Sequence, residues 1–415
     1  MVDASAPGFR PPNAIENVAA EASQDGALNK KKKKLFYYKC MVPRVGCLKL
    51  KVEEDEEGNV DMQVVGDDKE DPPNPTHLIV TVNGIIGSAD NWKFAAKQFL
   101  RKYPRDVIVH CSKSNYGRLT FHGVDVMGNR LAKEVLSVIQ SHPYVKKISF
   151  IGHSLGGVVA RYAIAKLYEC YPIAEASQRN GRQGNGGDVP TVVTNSEEKT
   201  KGKIAGLEPI NFITSASPHL GSRGHRQVPF LFGFYTLENV AARLSCVLGR
   251  TGKHLFLTDR EKGKTPLLLQ MVHDTEDLKF ISALRSFKRR AVYANVHFDK
   301  LVGWSSSSIR RRHELPRMRD FTRDLKYRHI VYAKTLENNL PRQEAHREDS
   351  ENGHAIDYEE EMIRELTRMS WERFNVKFNG NHQRLLAHGS IQVQHYCVNS
   401  EGSDVVEHLV DTFVL

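Results

Sequence analysis

The chain has 415 residues, of which 40% are hydrophobic and 26% charged, with a formal net charge of +10. This balance excludes a fibrous or wholly disordered protein, and no run approaches the 18 or more uninterrupted apolar residues of a membrane-crossing helix. The positive charge lies after residue 76, where 48 Lys and Arg face 35 Asp and Glu. No nucleic-acid motif accompanies it, so we expect no nucleic-acid partner, and at most peripheral contact with an anionic membrane surface. Six cysteines without a CxxC pair fit reduced thiols in an intracellular protein. The N-terminus has no basic stretch followed by an apolar one, as a secretory signal requires, so the cytosol is the expected location.

Residues 1–34 are rich in Ala, Pro, Asn and Ser and end in the run Lys30–Lys34, a composition that predicts a disordered tail. The runs LFYYKCMV (35–42) and CLKLKV (47–52) predict two strands of a β-rich extension and linker, 35–75, which closes on the acidic run Glu53–Glu57 and the joint Asp71-Pro-Pro-Asn-Pro75. From residue 76 to 415 strands and helices alternate. HLIVTV (77–82), DVIVHC (106–111) and KISFIG (147–152) are apolar β-type runs, separated by helical patterns near Trp92–Arg101 and from about Gly128 to Gln140. Such alternation implies βαβ units, hence an α/β domain with a mostly parallel sheet flanked by helices.

A helix to about Tyr168 follows, then a polar Gly-rich insertion at about 171–203. INFITSAS (210–217) resumes the sheet. The interval of about 221–290, which holds the aromatic run Val228–Tyr235, has the length of a cap inserted over a sheet. AVYANV (291–296) is the next strand, and a polar loop at about 338–357 precedes a helix at 358–369, a strand at 371–378 and a last helix at 404–415.

The sharpest motif is Gly152-His153-Ser154-Leu155-Gly156-Gly157. Its G-x-S-x-G spacing alone recurs by chance in about one chain in ten of this length. Here it stands between the β-run KISFI and VVARYAIAKLY, which has a helical apolar face. That is the strand, tight turn and helix needed to present a nucleophilic serine, with Gly152 and Gly156 where strand and helix approach too closely for side chains. Ser154 is therefore the candidate nucleophile.

Acyl transfer to a serine needs preset donors for an oxyanion. The N–H of Leu155, after the serine, and that of Ile85, in the early loop Asn83-Gly84-Ile85-Ile86-Gly87, are the candidates, with Asn83 and Gly84 supporting the loop. The acid of such a site follows the serine in chain order and the base comes last. Asp299, after AVYANV, stands where a strand's C-terminal end presents functional groups. Eight histidines follow it. We take His388, between the strand at 371–378 and the last helix, as the base ahead of His382, in a polar turn, and His395, in the run IQVQHYC, whose alternation suggests a strand. This chemistry calls for no metal or other cofactor, and HEL at 313–315 lacks the second histidine of a zinc-protease helix.

At these residues the chain resembles the lipase-like serine esterase family of α/β-hydrolases known from plants and fungi. The resemblance spans about residues 76–415 and is carried by HLIVTVNGIIGSADNW, TFHGVDVMGNRLAKEV, FIGHSLGGVVARYAI, SASPHLGS, GRTGKHLFLTD, VYANVHFDKLVGWSSSSIRR, AHGSIQV and NSEGSDVVEHLVDTF. It implies an α/β-hydrolase fold with an inserted cap or lid, and an esterase or lipase acting on acyl lipids through Ser154, Asp299 and His388. The family's oxyanion loop reads His-Gly where this chain has Asn83-Gly84; Asn donates a hydrogen bond but does not ionise. Two other readings share these residues: a thioesterase or protein deacylase, and a catalytically weak lipid-binding scaffold. Basic clusters at Lys288–Arg290 and Arg310–Arg312, with Arg317 and Arg319, are candidates for contact with phospholipid surfaces.

Overall fold

The structure, a computed structural model, describes residues 34–37, 49–54, 60–64, 74–170, 201–222, 248–260, 265–333, 357–380 and 382–415. Nearly all of the expected tail, of the insertion at 171–203 and of the polar loop at 338–357, and the whole aromatic run Val228–Tyr235, lie outside the described residues; Lys34, the last residue of that tail, opens a strand.

The described strands form one sheet: β1 (Lys34–Tyr37), β2 (Lys49–Glu54), β3 (Val60–Val64), β4 (His77–Val82), β5 (Val107–Cys111), β6 (Lys147–His153), β7 (Glu208–Ser215), β8 (Arg289–Asn295), β9 (Phe321–Arg323), β10 (Ile330–Ala333) and β11 (Glu372–Val376). Their spatial order is β1-β2-β3-β5-β4-β6-β7-β8-β11-β10-β9. The six central strands from β5 to β11 run parallel. Antiparallel strands flank them, β3 on β5 at one side and β10 on β11 at the other.

The helices that position the site are α1 (Lys93–Lys102), α2 (Val124–Ser141), α3 (Leu155–Leu167), α4 (Gly249–Leu255), α5 (Phe280–Ser286), α6 (Tyr358–Leu366), α7 (Gln383–Ser390) and α8 (Ser403–Asp411). Successive strand residues point to opposite faces, so Leu78, Val80, Phe150, Phe212 and Val292 pack with α2, α3, α5 and α6. Ile79, Val109, Ile151, Ile213 and Tyr293 pack with α1, α7 and α8 on the other face. Burial on both faces is why these strands read as continuous apolar runs. A mostly parallel sheet between two helical layers, with the serine turn following a central strand, is the α/β-hydrolase fold.

Three local expectations are corrected. Helix α2 begins at Val124, four residues before its pattern suggests, because side chains of α4 take up its first N–H groups: Thr251 Oγ1 accepts from Gly123 N at 3.0 Å and His254 Nδ1 from Val124 N at 3.1 Å. The last helix stops at Asp411, since the Asn211 side chain bonds both the N–H and the C=O of Val414. The alternating run around His395 is not a strand. Its buried Ile391 and Val393 reach the core from a turn in which Val393 adopts a φ of 56° and Gln394 N bonds Gly389 O at 3.0 Å. Strands β3, β9 and β10 were not anticipated.

Candidate active site

All six parallel strands end at the same edge of the sheet, and the candidate groups follow β4, β6, β8 and β11 there. This is the edge at which open parallel sheets place their ligands. Asn83–Gly87 follows β4, Ser154 follows β6, Asp299 lies four residues after β8, and His388 sits in α7, after β11.

Ser154 adopts φ 54°, ψ −128°, a conformation that L-residues populate at a cost. The surroundings hold it there. Its N–H bonds Ser215 O on the neighbouring strand at 2.9 Å, and α3 begins at the next residue. A Cβ on Gly152 would lie 2.5 Å from Gly157 Cα, and one on Gly156 would lie 2.6 Å from Asn83 O while overlapping Val82 O. The expected close approach of strand and helix is therefore real at both glycines. Gly84 closes the other side, where a Cβ would come within 2.9 Å of Ser154 Cβ.

Asp299 and His388, 89 residues apart in the chain, are hydrogen-bonded: His388 Nδ1 lies 2.9 Å from Oδ2 and 3.1 Å from Oδ1. The buried carboxylate also accepts from Leu301 N at 3.0 Å, Val302 N at 2.9 Å and Asn295 Nδ2 at 2.9 Å. Burial pushes its pKa up, but the His388 imidazole and these donors more than offset this and hold it below the usual carboxylate range. With Nδ1 tied to Asp299, the remaining ring nitrogen of His388, Nε2, is the one left to exchange a proton elsewhere.

Two residues that sequence reasoning left without a role hold this pair. His153 Nε2 donates to the carbonyl oxygen of His388 at 2.8 Å, with the two rings 4.7 Å apart. Burial, with a smaller electrostatic contribution from neighbouring His388, pushes the His153 pKa down to about 3, so the ring is neutral and Nε2 carries its proton. Asn295 Nδ2 reaches both Asp299 Oδ2 and, at 3.3 Å, the carbonyl of Ala387, next to His388. No hydrogen bond joins Ser154 Oγ to His388 among the described residues; such contacts are often long before substrate binds. His382 and His395 are exposed.

The N–H groups of Ile85 and Leu155 have no acceptor among the described residues. Around Ile85 the backbone is fixed: Gly84 O accepts from Gly87 N and from Asn83 Nδ2, both at 3.1 Å. Gly84 C=O and Ile85 N–H belong to one trans peptide and point oppositely, so holding the carbonyl aims the N–H. Asn83 is itself anchored, donating to Asn115 O at 2.8 Å.

The basic clusters are largely engaged within the molecule. Buried Arg289 pairs with Glu372, Arg310 donates to Asn375, and Arg311 pairs with Glu314 and Glu360. They give little support to a lipid-binding face. Among the described residues no group of three or more His, Cys, Asp or Glu could hold a metal ion, and no helix is long and apolar enough to cross a membrane.

The family model described as "Putative serine esterase (DUF676)" matches residues 72–309. The chain is 31% identical to the Saccharomyces cerevisiae protein named Putative lipase ROG1 over 247 residues, 57% of this chain and 29% of that protein. It is 32% identical over 191 residues to Putative lipase YDL109C of the same yeast, 46% of this chain and 23% of the relative. The matched segment thus spans less than a third of these curated relatives. Among solved structures, carboxyl esterase 2 of Tuber melanosporum aligns at a TM-score of 0.39 and 9% identity, covering 89% of this chain and 88% of that one.

Proposed function

The chain belongs to the family described as "Putative serine esterase (DUF676)", and on that premise we propose that it is a serine hydrolase of carboxylic esters whose catalytic residues are Ser154, His388 and Asp299. The observation that carries the reading is the pairing of the buried Asp299 with His388, whose carbonyl is tied to His153, the residue beside a serine on a strained turn. His388 Nε2 removes the Ser154 proton as Oγ attacks the ester carbonyl, while Asp299 orients and stabilises the imidazolium. The N–H groups of Ile85 and Leu155 bind the oxyanion. His388 then gives its proton to the leaving alcohol, and water, activated by the same imidazole, frees the acid and restores Ser154.

An acyl lipid is the substrate class we favour. The relatives are named putative lipases, and three of the four segments that carry the site present an exposed apolar side chain: Ile86 at 65%, Leu301 at 44% and, in α7, Leu385 at 77% exposure. Apolar side chains around a site favour contact with acyl chains, and the net positive charge favours an anionic membrane surface.

The test is hydrolysis of short- and long-chain p-nitrophenyl esters by wild type and Ser154→Ala. The proposal expects turnover in wild type and a loss of at least about 10³-fold in the variant. A rate that rises when the ester is presented as an emulsion supports the lipid substrate. Preference for thioesters over oxygen esters turns the reading toward a thioesterase, and a folded wild type that hydrolyses neither overturns it in favour of a lipid-binding scaffold.

A further inference from the structure

The loop that carries Ile85 is braced from outside the site. Ile86 has a φ of 55° and a mostly exposed side chain, so packing does little to hold its left-handed backbone. Its N–H donates to Thr120 Oγ1 at 3.0 Å, and the Thr120 hydroxyl donates in turn to Gly117 O at 2.6 Å. Gly117 N bonds Gly87 O at 3.0 Å, which closes a ring of contacts between segments 84–87 and 117–120. Thr120 is fixed by Thr251 of α4, whose Oγ1 donates to Thr120 O at 2.7 Å while accepting from Gly123 N at 3.0 Å.

Each hydroxyl has one proton, and both are committed along this path. Helix α4 has little freedom to drift. Arg250 pairs with Asp125 at 2.7 Å, His254 Nδ1 accepts from Val124 N, and a Cβ on Gly249 would lie 2.9 Å from Phe121 O.

We propose that Thr120 and Thr251 are positioning residues, through which the docking of α4 on the start of α2 fixes the peptide planes of the oxyanion loop. This rests on the assignment of Ile85 N–H to the oxyanion site. It gives GRTGKHLFLTD a task in catalysis although none of its residues lies in the proposed triad or donates to the oxyanion. An oxyanion donor acts on the transition state more than on bound substrate, so a loosened loop shows in kcat with KM little changed.

The experiment compares wild type, Thr251→Val, Thr251→Ser, Thr120→Val and Thr120→Ser. Two quantities are read: amide hydrogen exchange over residues 83–88, and kcat and KM on p-nitrophenyl acetate. Both valine variants should exchange at least tenfold faster over this loop and lose about tenfold in kcat, with KM within twofold; both serine variants should stay within twofold of wild type. Unchanged exchange in Thr251→Val overturns the proposal, as does equal loss in the serine variants. If wild type turns over neither this ester nor a long-chain one, the ester-hydrolase reading fails, while the exchange comparison still decides whether α4 holds the loop.

Discussion

His153 Nε2 donates to the backbone carbonyl of His388 at 2.8 Å across 235 residues of chain. The residue before the candidate nucleophile thus fixes the backbone of the candidate base, so the position of His388 relative to Ser154 is set by two tethers: Asp299 on the ring and His153 on the main chain. Replacing His153 with Leu keeps much of the bulk and removes the donor. Turnover should fall about tenfold or more, as when a catalytic group is misplaced by a fraction of an ångström, with KM little changed. Steady-state kinetics check this, and a kcat equal to wild type contradicts the tether.

Asn295 shields the acid. Its Nδ2 lies between Asp299 Oδ2 and Ala387 O, and Asn295→Asp sets a second carboxylate against the first. Like charges in one site raise a carboxylate pKa, which opposes the depression now seen at Asp299. Asp299 then loses its charge, and with it the stabilised imidazolium, at higher pH. The acid limb of the kcat/KM profile should move to higher pH in this variant, and a superimposable profile refutes the assignment.

The turn at Ser154 requires the absence of side chains. Gly156→Ala and Gly152→Ala drive a Cβ against backbone that cannot rotate away, an overpacking that costs about 3 kcal/mol or more. Gly117→Ala meets no atom within 4 Å and pays only for its positive φ, about 1 kcal/mol. Denaturant unfolding of the three variants should show this order. Equal losses would mean that close packing is not what the glycines serve.

Stability should begin to fall on acidification above the range in which ordinary carboxylates titrate. His77 and His153 are both pushed down to about 3, first by burial. The unfolded chain therefore takes up protons at both positions between about pH 6.5 and 3 while the folded chain does not, and stability declines as pH drops through that range by at most about 1.4 kcal/mol per pH unit for each. The depressed carboxylates Asp299 and Glu134 add their own loss only in the lower part of this window and below it, from near their ordinary values downward. His77→Gln, which can still bond Ser149, should flatten the slope of urea stability between pH 6.5 and 5. An unchanged slope would contradict the buried neutral ring.

The sheet and the serine turn were legible because their signals are local. Strands buried on both faces are apolar runs, and the turn needs its glycines within five residues of each other. Asp299 and His388 followed from where strands end and from chain order. What holds them did not, because His153 and Asn295 act on partners 235 and 92 residues away, and nothing beside them in the sequence distinguishes them from other polar residues. Strands β9 and β10 are three and four residues long at a sheet edge, too short for a periodic pattern. The run IQVQHYC alternates in sequence without being a strand: its turn buries Ile391, Gln392 and Val393 together and leaves His395, Tyr396 and Cys397 exposed.

The most direct test of the account is covalent labelling by a fluorophosphonate ester, with the adduct located by peptide mass spectrometry in wild type, Ser154→Ala and His388→Ala. The account predicts one adduct, on Ser154, absent in Ser154→Ala and formed far more slowly in His388→Ala. A well-folded wild type that takes no label, or a label that survives in Ser154→Ala, would contradict it.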